Sequence, residues 1–221
     1  MTPGFVHLRL HSEFSLADGI IKVKGLAERA AALGMPAIAL TDRSNLFALV
    51  KFYQACLSAG VKPLVGADLQ VLGESSELSR LGVLAMNQAG FRNLIALVSR
   101  AYVDAEERGC VSRALLFEHT EGLLVLSGGR EGDVGQALLR DDPELARRLA
   151  SEWAAAFPSR YFLELTRTGR PQEEVCVART VALAAATELP VVATNDVCFL
   201  HREDYEAHET RVCIYEGRTL D

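Results

Sequence analysis

An α/β protein is predicted from three features of the sequence. Short apolar runs rich in β-branched residues recur along the chain, most of them are separated by stretches with helical spacing, and polar residues gather directly after the runs. The 221 residues are 49% hydrophobic and 24% charged, an ordinary balance for a folded chain. A chain of this length buries roughly 70% of its unfolded surface and needs neither disulfides nor a structural metal to fold.

Taken in order, the runs are VHLRL from Val6, AIALT from Ala37, PLVGA from Pro63, LGVLA from Leu81, LLVLS from Leu123, YFLEL from Tyr161 and PVVAT from Pro190, which gives seven candidate strands. Helical spacing falls at Ile20 to Leu33, Asn45 to Ala59, Phe91 to Tyr102, Pro143 to Phe157 and Pro171 to Thr187. Asp142 is placed to cap the helix that Pro143 and Glu144 begin, Pro171 stands where a first helical residue is tolerated, and Gly34 follows a last turn before Met35-Pro36. Alternating strand and helix favours a parallel sheet with right-handed crossovers, either open and doubly wound or closed into a barrel. The stretch from Asp104 to Glu118 is the least regular and is expected to hold loop and a short helix. No repeat, low-complexity tract or Gly/Ser linker divides the chain, so a single domain over residues 1–221 is expected.

Charge and cysteine usage exclude several classes. Lys+Arg is 23 against 29 Asp+Glu, a net charge of −6, so the basic footprint of a strong DNA or RNA binder is missing. Five cysteines, Cys56, Cys110, Cys176, Cys198 and Cys213, stand far apart without a C-x-x-C pair, which reads as reduced thiols in a cytoplasmic protein. The start Met-Thr-Pro-Gly-Phe-Val-His lacks a basic region followed by an apolar one, and no apolar run is long enough for a membrane span.

In parallel α/β domains the working face lies at the C-terminal ends of the strands. Following the runs come Arg9-Leu10-His11-Ser12-Glu13, Thr41-Asp42-Arg43, Gly66-Ala67-Asp68, Ser127-Gly128-Gly129 and Thr194-Asn195-Asp196-Val197-Cys198. By the two-residue strand period His7, Arg9 and His11 share a direction, which would begin a metal site were all three imidazoles. Arg9 is instead a permanent cation without a lone pair, and it competes with a metal for the same carboxylates. Taken alone, His7 and His11 read as hydrogen-bonded strand-end histidines. Gly128-Gly129-Arg130-Glu131-Gly132 matches neither phosphate-binding glycine pattern and reads as a tight strand-to-helix turn, while Ser127 is not in a nucleophile elbow. Cys56, Cys110, Cys176 and Cys213 read as small core residues. HREDYEAHETR, from His201 to Arg211, reads as a solvated helix face.

The stretch VHLRLHSEFSLADG from Val6 resembles the opening motif of the PHP (polymerase and histidinol phosphatase) domain, of the kind found at the N-terminus of bacterial DNA polymerase III alpha subunits. AIALTDRSNLFALVKFY from Ala37, KPLVGADLQV from Lys62, LAMNQAGFRNLIALVSRAY from Leu84, LLVLSGGREGDVG from Leu123, RYFLELTRTGRP from Arg160 and LPVVATNDVCF from Leu189 are similar to further blocks of that family, in the same order. The resemblance implies a distorted (β/α)7 barrel of PHP-domain type. It also implies that the chain, stopping at Asp221, is an excised N-terminal fragment of a much longer polymerase.

Active members of the family hold up to three metal ions on His, Asp, Glu and Cys ligands for phosphoester hydrolysis. Carried over by position, the resemblance puts Arg9 in place of the first histidine and keeps His11 and Asp18. It puts Arg43 for a histidine, Asp68 for a glutamate, Arg80 for a histidine and Gly129 for a cysteine, keeps Asp196, and puts Cys198 for the last histidine. With several ligands gone, no catalytic residue and no bound metal or other cofactor is expected in this domain. Arg9 and Arg43 are expected to balance carboxylates such as Asp18, Asp68 and Asp196 in a metal's stead.

What the resemblance implies for function is a non-catalytic scaffold in DNA replication, with the rest of the alpha subunit and the proofreading exonuclease subunit as partners and no strong DNA binding of its own. Nucleotidyl transfer, with its Mg, would belong to the parent polymerase outside this segment. The competing reading is a metal-dependent phosphoesterase or 3′–5′ exonuclease with a reduced Zn or Mn site built from His11, Asp18, Asp68, Asp196 and Cys198.

Overall fold

The computed structural model describes residues 4–73, 77–103 and 108–220. The expectations for Met1 to Pro3, for Asp104 to Glu107 and for the terminal Asp221 therefore lie outside the described residues. The chain forms two compact units, one of residues 1–67 with 196–221 and the other of residues 68–195.

In the first unit, helix α1 (Val23–Ala32) leads into strand β1 (Ala37–Leu40), helix α2 (Leu49–Ala59) and the start of strand β2 (Lys62–Leu72). Helix α8 (Tyr205–Glu216) belongs to the same unit. β1 and β2 pair in parallel from Ala37 opposite Lys62 to Leu40 opposite Val65, as their helical crossover dictates. Both helices end where glycine supplies a left-handed backbone: Gly34, as its place in the sequence predicts, and Gly60. The VHLRL run is not a ladder strand. It contributes the His7 carbonyl to Ala39 N–H and the Leu10 carbonyl to Thr41 N–H, and Leu10 forms an isolated parallel bridge with Val197. Leu10, Ile21, Leu26, Phe52 and Cys56 form the buried centre of this unit.

The second unit begins in the latter half of β2 and continues through β3 (Leu78–Ala85), α3 (Gln88–Val103), β4 (Cys110–Ser112), α4 (Arg113–Glu118), β5 (Leu123–Leu126), α5 (Asp133–Leu139), α6 (Pro143–Ala156), β6 (Tyr161–Thr166), α7 (Glu173–Thr187) and β7 (Val191–Thr194). Its strands follow the order β2-β3-β5-β6-β7, and β4 pairs with β2. β5, β6 and β7 are mutually parallel, whereas β3 runs antiparallel to β5. That departs from the all-parallel expectation for a simple reason: residues 73–77 alone connect β2 to β3, too few for a crossover. The irregular stretch resolves into β4, which the sequence did not suggest, and the expected short helix, α4. Asp142 caps α6 as predicted, its Oδ1 accepting from Leu145 N–H at 2.9 Å. The core gathers on Trp153, Phe157 and Tyr161, all essentially buried, with Trp153 Nε1 donating to Asp133 Oδ2 at 2.8 Å. Among the described residues no helix is long and apolar enough to cross a membrane.

Candidate functional site

The nine positions that the family resemblance singles out fall into a group of six in the first unit and a group of three in the second. In the first, backbone bonds bring both ends of the chain together. His11 N–H donates to the Val197 carbonyl at 2.9 Å and Ile20 N–H to the Cys198 carbonyl at 3.0 Å. His11 and Cys198 are thereby held side by side, Cys198 Sγ lying 3.9 Å from His11 Nδ1 with both side chains buried.

Asp18 is the hub of this group. Its Oδ1 lies 3.0 Å from His11 Nδ1 and accepts from Ser15 Oγ at 3.0 Å, and Arg43 Nη1 stands 3.7 Å from Oδ2. Arg9 takes the other carboxylate of the group, with Nε 3.6 Å from Asp196 Oδ1 and the two side chains 4% and 7% exposed. His7 differs from expectation. Its ring packs edge-on against Phe5, Nδ1 has no hydrogen-bond partner, and burial lowers its pKa below the usual value.

In the second unit Arg80 bridges two acids, Asp68 and Glu131, through separate guanidinium nitrogens. The Asp68 side chain is fully buried and that of Arg80 is nine-tenths buried, so the pair is screened from water. Gly129 opens a single 3₁₀ turn, Gly129–Glu131, directly after β5, which bears out the tight strand-to-helix turn.

Several polar residues outside those nine positions surround them. Asp42 is buried and accepts from Ser12 N–H at 2.6 Å and Ser12 Oγ at 2.8 Å, although burial still raises its pKa. Glu164 is buried within the apolar YFLEL run, where its Oε2 accepts from Gly128 N–H at 3.0 Å and its Oε1 from Thr194 Oγ1. A carboxylate in the middle of an apolar strand was the available signal, because such a group must find partners. His208, on the helix read as a solvated face, reaches back so that its Nδ1 lies 2.8 Å from the Asp18 carbonyl, while Arg211 donates to the carbonyls of Glu13 and Leu16. All five cysteines are free and buried.

Among the described residues, His11, Asp196 and Cys198 form a group that could meet a metal ion, with ligand atoms within 4.8 Å of one another. The donor set suits zinc. Its surroundings do not: the Arg9 guanidinium lies on the Asp196 carboxylate, and Asp18 engages the His11 nitrogen nearest Cys198. Burial also raises the Cys198 pKa, despite the opposing contact with His11. Within this group the contacts of Asp196 with Arg9 and of His11 with Asp18 thus occupy two of the three potential ligands.

Residues 7–168 match the PHP domain model, and the chain belongs to the PHP domain family. More particularly, it is 50% identical over its whole length to DNA polymerase III subunit alpha of Pseudomonas aeruginosa, and 52% identical over 99% of its length to that of Escherichia coli K12. It spans 19% of the length of each of these relatives. Two solved structures share its fold at low identity. A protein described as a metal-dependent phosphoesterase, from Bifidobacterium adolescentis, superposes with a TM-score of 0.52 at 14% identity, over 96% of this chain and 97% of the other. An amidohydrolase from Chromobacterium violaceum gives 0.53 at 15% identity, over 93% and 96%. These neighbours bear out the α/β, PHP-type fold class.

Proposed function

We propose that the chain is a single, non-catalytic PHP domain within a DNA polymerase III alpha subunit, where it acts as a cytoplasmic scaffold for the rest of that subunit and as the docking place of the proofreading exonuclease subunit. The observation that carries the non-catalytic reading is the contact of Arg9 with Asp196, repeated in kind by Arg43 with Asp18 and Arg80 with Asp68. At each place a guanidinium supplies the positive charge that a metal would supply in an active relative, and the carboxylates are compensated without an ion. The whole-length similarity to alpha subunits supports the assignment to that protein; nucleotidyl transfer and its Mg belong to the remainder of such a polypeptide.

The test is elemental analysis of the purified chain for zinc, manganese and iron after dialysis against each metal, alongside an assay of phosphodiester hydrolysis. Less than about a tenth of an ion per chain and no hydrolysis are expected of a weakly or non-binding site. Stoichiometric metal that disappears in Asp196→Ala, with hydrolysis that disappears too, would favour the second reading, a phosphoesterase or 3′–5′ exonuclease with a reduced site. The proximity of His11, Asp196 and Cys198 is the observation that keeps this second reading in play. Exonuclease docking is tested separately, by titrating the purified proofreading subunit into this chain in a calorimeter. Saturable one-to-one binding is expected, and no heat at concentrations up to about 50 µM would remove that partner.

A further inference from the structure

The chain carries four lysines, at 22, 24, 51 and 62, and its remaining 19 basic residues are arginines. Arginine makes the ion pairs with acids described above, and among the described residues none of the four lysines is in an ion pair. Three of them are nevertheless gathered in one place. Lys22 and Lys24 at the start of α1 and Lys51 on α2 line a single open groove of about 600 Å³ in the first unit, with Ala55 and Ala59 among its apolar lining. All three lysines are exposed, and the Lys51 ammonium sits 5.1 Å from the centroid of the Phe14 ring, which holds that side chain at the groove.

We propose that this groove is a docking surface for a short acidic segment of another protein, one that carries an apolar anchor between carboxylates. The lysines provide the charge complement, and the half-buried Ala55 and Ala59 provide a place for the anchor. Glu13 and Glu28 also line the groove. Their carboxylates repel phosphates and carboxylates alike, but a peptide can turn its own N–H groups to them and place its acids on the lysines, whereas a phosphodiester backbone has no donor to offer, so a protein segment fits this lining better than a nucleic acid does. The proposal concerns neither the Arg/Asp contacts nor the exonuclease and stands apart from both.

The probe is the fluorescein-labelled peptide Glu-Glu-Asp-Leu-Phe-Glu-Asp-Glu, titrated into the 221-residue chain at low salt and followed by anisotropy. In parallel, acetylation of the four lysines by an N-hydroxysuccinimide ester is followed by mass spectrometry. Saturable binding is expected, with Lys22, Lys24 and Lys51 protected by the peptide and Lys62 serving as the unprotected internal reference. The combined Lys22→Glu, Lys24→Glu and Lys51→Glu variant, checked for unchanged circular dichroism, is expected to bind about tenfold or more weakly, and replacing the same three by arginine to restore binding. Lack of saturation up to about 1 mM peptide, or equal protection of Lys62, would overturn the proposal. So would a thymidine oligonucleotide that protects the same three lysines more strongly than the peptide, since the groove would then be a nucleic-acid site.

Discussion

The Arg9 guanidinium lies on the Asp196 carboxylate, Nε to Oδ1 at 3.6 Å, and both side chains are more than nine-tenths buried. Breaking a pair in this setting removes compensating charge from a group held in a low-dielectric surrounding, which costs more than the pair itself contributes. Arg9→Ala is therefore expected to lower stability by about 3–5 kcal/mol, while the double replacement Arg9→Met with Asp196→Leu stays within about 2 kcal/mol of the parent. Urea unfolding of the three proteins checks this. An Arg9→Ala variant as stable as the parent would show that Asp196 does not depend on the arginine.

Returning histidine to positions 9 and 43 removes the guanidiniums beside Asp196 and Asp18 and adds imidazole donors near His11 and Cys198. We expect the Arg9→His, Arg43→His variant to lose stability without metal and to regain it with zinc, because an ion that binds only the folded state raises Tm with its concentration. Differential scanning calorimetry across a zinc series reads this out. If the revertant neither takes up zinc nor loses stability, the arginines are not standing in for metal charge.

Much of this was legible in the residues, and the rest was hidden for identifiable reasons. Asp142-Pro143 and Gly34 announced helix ends because capping and left-handed turns are local chemistry. β4 gave no such signal: three residues, Cys110 to Ser112, are too few to display a period. VHLRL looked like a strand, but its backbone pairs at scattered points instead of along a ladder, which apolar alternation does not reveal. At the site, the resemblance led to the expectation that Arg9 and Arg43 balance carboxylates such as Asp18, Asp68 and Asp196, but not which arginine meets which acid. The engagement of Asp18 by His208 could not be anticipated, since nothing in a mixed-charge helix states which loop it will face.

Gly128 tests whether the turn after β5 is set by backbone geometry. Its φ is +78°, and a Cβ there would stand 2.0 Å from the Arg80 carbonyl oxygen, so a side chain meets both an unfavourable conformation and a main-chain atom that cannot move aside. Gly128→Ala is expected to cost roughly 3 kcal/mol or more. Thermal unfolding measures it, and a loss below about 1 kcal/mol would mean that the turn rearranges freely.

The last prediction concerns acid stability and rests on Glu173, the buried first residue of α7. Its Oε2 accepts from the N–H groups of Thr168, Gly169 and Arg170 at 2.6, 2.7 and 3.1 Å, and its Oε1 accepts from Thr168 Oγ1 at 2.6 Å. Burial alone would raise its pKa, but these hydrogen bonds to the ionised form outweigh burial and hold the carboxyl below its ordinary 4.5. A carboxyl whose pKa is depressed by folding contributes stability that is fully present above the unfolded value and is lost as the pH falls through the folded one. Glu173→Gln keeps one oxygen but points an amide at backbone donors, so a loss of about 2 kcal/mol is expected at neutral pH. Below pH 4.5 the gap between parent and variant should narrow, because the unfolded parent takes up a proton there while the folded carboxylate stays ionised to lower pH. Urea unfolding of both proteins at a series of pH values decides the matter. A gap that stays constant on acidification would mean that the carboxylate's charge is not what braces the start of α7.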